Sequence, residues 1–183
     1  MRDWCDLVMV SGALKGLACA LIKIANDVRW MGSGPVAGLA ELQLPEVQPG
    51  SSIMPGKVNP VIAESLLQVC AQVIGYDAAI TVAGQASHFE LNMMLPLAAY
   101  DVLQSLHILT SGCENFRERC IEGLQATSRG PQLVSSGLML ATALAPYIGY
   151  DAAAAIAKEA AASGESILEV ALRRTTLTQI GRA

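Results

Sequence analysis

The segment Gly50-Ser51-Ser52-Ile53-Met54-Pro55-Gly56-Lys57-Val58-Asn59-Pro60 gathers two hydroxyls, two glycines, a cation and an amide directly before a long apolar run. Asn59 suits a helix N-cap and Pro60 the first helical position, where a missing N–H costs nothing. The first turn of such a helix carries unpaired N–H groups and the positive end of the dipole. With Lys57 two residues before the cap, the local chemistry is that of an anion site, for a carboxylate or phosphate, beside a hydroxyl. A loop of this composition that only caps a helix is also common, so the local chemistry alone leaves both readings open.

The elements around this loop read as helices. From about Asp6 to Met31, Leu14, Leu17, Ala18, Leu21, Ile22, Ile24 and Ala25 recur at three- and four-residue steps. Gly32, Gly34, Pro35 and Gly38 end that run, and Glu41 to Pro49 reads as a connection. A second helix is expected from Pro60 to about Ile80, with Ile62, Leu66, Val69, Val73 and Ile74 as core. A third helical region spans about Gln85 to Arg119, kinked or restarted by Pro96, with Leu103, Leu106, Leu109 and Phe116 on its apolar face. Periodicity breaks between Gly123 and Pro131. Shorter helices are expected near Leu133–Leu144, Asp151–Ser163 and Ser166–Arg173, with Asp151 and Ser166 as N-caps. No strand alternation of useful length appears. The class is all-α, with one helical domain over 1–128 and a small one over 129–183.

Composition narrows the function classes. Of the 183 residues, 52% are hydrophobic and only 4% aromatic, so the core is aliphatic. A mean hydropathy of +0.42 raises the possibility of a membrane span. The windows Pro60–Gly84 and Leu138–Ala162 are interrupted by Glu64 and Asp77 and by Asp151 and Lys158, so no charge-free span is expected. Apolar helix surface buried between subunits accounts for the excess. A net charge of −4 without a basic run argues against nucleic acid. Five cysteines, without a C-x-x-C pair, and no cleavable leader pattern suggest a reducing, cytoplasmic setting. His88 and His107 are not at ligand spacing and no acidic cluster joins them, so neither a metal nor another cofactor is expected.

The whole loop matches the pattern G-S-S-x-M-P-x-K-x-N-P and resembles the signature of the fumarase/aspartase superfamily. Asn26 to Pro35, Glu41 to Pro45, Phe89-Glu90-Leu91-Asn92 and Ile148 to Ala153 resemble blocks of class II fumarases, so the likeness runs along nearly the entire chain. The resemblance implies long helices from four subunits in one central bundle, with sites where subunits meet, followed by a small helical C-terminal domain. It implies a reversible elimination of water from malate to give fumarate. Ser51 is then the base. Lys57 and Asn59 hold carboxylates and developing charge, backbone N–H groups near Ser52, Ile53 and Met54 hold the intermediate, and Glu64 orients a histidine from elsewhere. Aspartate ammonia-lyase shares the loop and is the rival enzyme. Ser52 also reads as a plain turn residue, and Glu64 as an acid placed by the helix dipole.

The sequence departs from the family in three places. The family's upstream substrate-binding and histidine blocks have no counterpart. Val36 stands where the G-P-R-A-G pattern has arginine, and Leu124 to Gly130 replaces the usual junction. The expectation is therefore a C-terminal portion of a longer subunit, or a chain that needs a homo-oligomer or an N-terminal partner half. A helical assembly module without activity of its own is the alternative from another class.

Overall fold

The computed structural model describes residues 4–48, 54 and 58–176. The chain divides into two compact units, 1–126 and 127–183.

The first unit is built on three long helices: α1 (Cys5–Met31), α2 (Val61–Gln85) and α3 (Leu95–Phe116). In α2 the buried positions are Ala63, Leu66, Cys70, Val73, Asp77, Ile80 and Ala83. Their steps of three and four, alternating from Ala63 to Ile80, make the narrow seam of a coiled-coil-like helix. In α1 the seam is made of small residues, Ser11, Ala18 and Ala25, at seven-residue intervals, with Val28. The leucines expected there sit elsewhere: Leu14, Leu21 and Ile22 flank the core, while Leu17 and Ile24 are exposed. Small seam residues let α1 and α2 approach closely, which puts the bulkier side chains on the flanks. In α3, Leu109 and Phe116 are buried, but Leu103 and Leu106 face outward. Val8 lies against Gly84, and Val69 and Leu66 lie against Gly112, so α2 runs antiparallel to both neighbours.

A buried polar contact ties α1 to α2. Asp77 accepts a hydrogen bond from Ser11 Oγ at 2.7 Å and one from Lys15 Nζ at 2.5 Å.

Short paired segments trim the ends. β1 (Leu42–Gln43) pairs antiparallel with β4 (Gln125–Ala126), and β2 (Ser87–His88) with β3 (Leu91–Asn92). The β2–β3 hairpin interrupts the expected third helical region. Asn92 Nδ2 donates to Ala83 O at 2.9 Å and its Oδ1 accepts from the Met94 amide, so Asn92 links the end of α2 to the start of α3. Pro96 lies in the first turn of α3, where no amide is required. A π-helical turn, Arg117–Ile121, follows α3.

The second unit holds α4 (Arg129–Ser136), α5 (Ala141–Ile148), α6 (Tyr150–Ser163) and α7 (Ile167–Arg174), with a 3-10 turn at Leu138–Leu140. Its core is Leu144, Ile156, Ile167 and Val170 with four buried alanines, Ala141, Ala153, Ala160 and Ala171, and Ala145 and Ala157 packed beside them. Ser166 caps α7 through a reciprocal box with Glu169. Asp151 is not the cap of α6: Gly149 takes that place, and Asp151 lies in the first turn. Gly164 ends α6 at φ +77°, a left-handed conformation that favours glycine. Arg173 donates to Glu165 through both terminal nitrogens and to Glu159, which joins α7 to α6.

By length and composition α1 and α2 could each cross a membrane, and 11% and 33% of their most apolar windows are buried within the chain. The Lys15–Asp77 pair joins these same two helices, and core helices of bundles meet the same two criteria.

Candidate functional site

Of the residues expected to carry chemistry, Ser51, Ser52, Ile53 and Lys57 lie outside the described residues. Met54 is described and 53% exposed. Asn59 lies just before α2 and Glu64 in its first turn, and both are half-buried.

The start of α2 differs from expectation by one residue. Pro60 occupies the N-cap position, and the first helical residue is Val61. Asn59 makes no side-chain cap bond. Instead its carbonyl accepts from the Val61 amide at 2.9 Å, and the Pro60 carbonyl accepts from the Glu64 amide at 3.0 Å. Proline's φ of −78° and ψ of 53° hold it short of the helical region. The Asn59 side-chain amide is therefore not consumed in capping the helix it precedes. Glu64 is the acid of the first turn, where the dipole favours a negative charge.

Three stretches of the first unit meet beside Asn59. After β1, Leu44, Pro45 and Val47 form one wall of a narrow cleft. Asn59 to Ala63 form the second, and Arg119 and Cys120 of the π-helical turn form the third. The β1–β4 pair fixes this meeting, since Leu42 faces Ala126 and Gln43 faces Gln125. Gly123 is required here: a Cβ at that position would lie 2.7 Å from Pro45 Cγ. Arg119 was legible in the sequence only as the end of a helical region. No local motif flags it, because what brings it to Asn59 is the long-range strand pair.

The histidines stand apart from the cleft walls. His88 is exposed in β2, with Nδ1 3.1 Å from Ala86 O, and His107 is exposed on α3. Phe89, at φ +52°, is 93% exposed at the hairpin tip. Among the described residues, no three His, Cys, Asp or Glu side chains are grouped so as to hold a metal ion. Cys70 is buried in the core, and burial pushes its thiol up to about 11, with smaller contributions from Cys113 and Cys19. It therefore stays protonated near neutrality and behaves as a small apolar side chain.

A family model described as "Lyase" matches residues 1–75, and one described as "Fumarase C C-terminus" matches residues 140–180. The class II fumarate hydratase of Thermosynechococcus vestitus is 53% identical over 173 residues, which is 94% of this chain and 37% of that protein. The mitochondrial fumarate hydratase of Saccharomyces cerevisiae is 51% identical over 94% of this chain and 36% of its own length. Among solved structures, the class II fumarase of Schistosoma mansoni superposes with a TM-score of 0.91 at 36% identity, covering 97% of this chain and 37% of that one. A fumarate lyase:delta crystallin from Brucella melitensis gives a TM-score of 0.90 at 47% identity, covering 96% of this chain and 38% of that one. The chain thus spans little more than a third of the length of these relatives.

Proposed function

The chain belongs to the fumarase/aspartase superfamily and corresponds to the C-terminal part of class II fumarases, and on that premise we propose that it supplies the signature-loop share of a fumarase-type active site. The reaction is the reversible elimination of water from malate to give fumarate. The observation that carries this reading is the complete eleven-residue match from Gly50 to Pro60, in a chain about half identical to fumarate hydratases throughout its length.

In this reading Ser51 removes the proton beside a substrate carboxylate. A serine hydroxyl is a weak base unless ionised. Lowering an alkoxide from a water-like pKa near 16 to neutrality requires about nine units, or roughly 12 kcal/mol. A helix dipole contributes at most about 2 kcal/mol. Lys57, the Asn59 amide and backbone N–H groups near Ser52, Ile53 and Met54 must supply the rest in a site closed to water. An Asn59 side chain not spent on helix capping supports that role. Glu64, one turn into α2, orients a histidine contributed from outside this chain. The working form is a homo-oligomer, a tetramer as the family implies, or an assembly with an N-terminal half. A cytoplasmic setting belongs to the same reading, although the yeast relative is named as mitochondrial.

The test is optical assay of fumarate hydration by the purified chain, alone and mixed with the N-terminal portion of the Thermosynechococcus vestitus relative, with and without ammonium. Malate formation without ammonium is the expected result in the mixture. Turnover only with ammonium would move the reading to aspartate ammonia-lyase. A well-folded mixture with no turnover would leave a helical assembly module. Ser51→Ala should lower hydration on the order of 100- to 10,000-fold at unchanged helix content; full activity in that variant would remove Ser51 as the base.

A further inference from the structure

The cleft beside Asn59 contains a cation that this chemistry has not used. Arg117, two residues earlier, is held by Glu118 and Glu122. Arg119 points to no such partner: among the described residues it has no ion pair, and it is exposed where it borders the cleft. A guanidinium presents a planar fork of donors that matches a carboxylate. The cleft has a volume of about 10 Å³, room for one water-sized group. A carboxylate would therefore seat one oxygen inside and leave the other at the mouth, within the province of the exposed Arg119. Pro45, Val47, Pro60 and Cys120 make the walls apolar, which strengthens a charged contact at their edge.

We infer that Arg119 is a substrate-binding residue: together with Asn59 it takes one carboxylate of the dicarboxylate at the mouth of this cleft. The inference rests on the reading of the chain as part of a fumarase-type site. It adds a residue from the turn after α3, far in sequence from the signature loop.

Succinate is the probe, since it carries two carboxylates and lacks a leaving group. Titrated into the ¹⁵N-labelled chain, it should shift the Arg119 Nε–Hε and Asn59 Nδ2 resonances along one saturation curve. Arg119→Gln should weaken succinate binding about tenfold or more, the loss expected for one hydrogen bond to a charged group. Arg119→Lys should recover part of it, and Arg117→Gln should leave it unchanged. The inference is overturned by wild-type affinity in Arg119→Gln, by an Arg119 resonance that stays still while Asn59 moves, or by no response of the wild-type chain to succinate. Turnover separates this from the functional reading. Hydration that survives Arg119→Gln at unchanged KM removes Arg119 alone, whereas hydration that survives Ser51→Ala removes the proposed mechanism.

Discussion

Asp77 on α2 and Asp101 on α3 are both buried, yet their carboxyls move in opposite directions. Burial alone would push Asp77 up, but the hydrogen bonds from Lys15 and Ser11, with the Lys15 charge, outweigh it and leave the group below the usual carboxylate range. Burial acts on Asp101 without such compensation, and its carboxyl rises. Asp77 contributes stability that is present above the unfolded value of about 3.9 and is lost as pH falls through its folded value. Asp101 contributes stability that is full below about 3.9 and is lost as pH rises through its folded value. The urea midpoint should therefore decline on both sides. Asp101→Asn should flatten the upper limb and Asp77→Asn the lower one. An Asp101→Asn midpoint that still declines from about pH 4 to pH 7 as in the wild type would rule out this assignment. At neutral pH, Asp77→Asn should also cost about 1.5 kcal/mol, the low end for a charged bond because Lys15 is 46% exposed.

At the scale of elements, the sequence was most legible where one local rule decides the outcome. Ser166 reads as a cap because a serine follows the breaker Gly164, and it caps α7 with Glu169 completing a reciprocal box. Ser166→Ala should cost about 1 kcal/mol, read as a lower thermal midpoint for the second unit. An unchanged midpoint would show that the box is decorative. The rule misled at Asn59 and Asp151, where Pro60 and Gly149 took the N-cap positions instead. It also misled in α1, because counting leucines finds the apolar positions but not which of them the neighbouring helix can approach. The β1–β4 pair was beyond reach, since two-residue strands carry no alternation and their partners are far apart in sequence. That pair holds Pro45 against Gly123, so Gly123→Ala should overpack the contact and lower stability by about 1–3 kcal/mol in urea unfolding. The same pair brings Arg119 to Asn59, which is why the loop half of the candidate site was legible from its motif and the other half was not.

For the whole molecule, the apolar excess in the composition has a visible location. Met9, Leu17 and Trp30 on α1, and Tyr100, Leu103 and Leu106 on α3, remain exposed after the three-helix core has formed. The family reading supplies partners for such faces, and the chain should self-associate in sedimentation experiments. Leu103→Glu, at a position 64% exposed, should reduce association while leaving helix content and the urea midpoint nearly unchanged. A monomeric wild-type chain at all concentrations would remove the oligomer from the functional reading.

The alternating seam of α2 has a further consequence for how this chain can change over time. The helix is 25 residues long, so its ends stand about 37 Å apart. One end carries Glu64 and the other meets the hairpin that contains Phe89. Inserting or deleting a single residue between Leu66 and Ile80 would turn one end about 100° against the other. Only steps of seven residues would nearly restore the seam, and each would alter the separation by about 10 Å. Substitutions can accumulate along α2, but its length is close to frozen, and gaps in any lineage of this chain should fall in its connections.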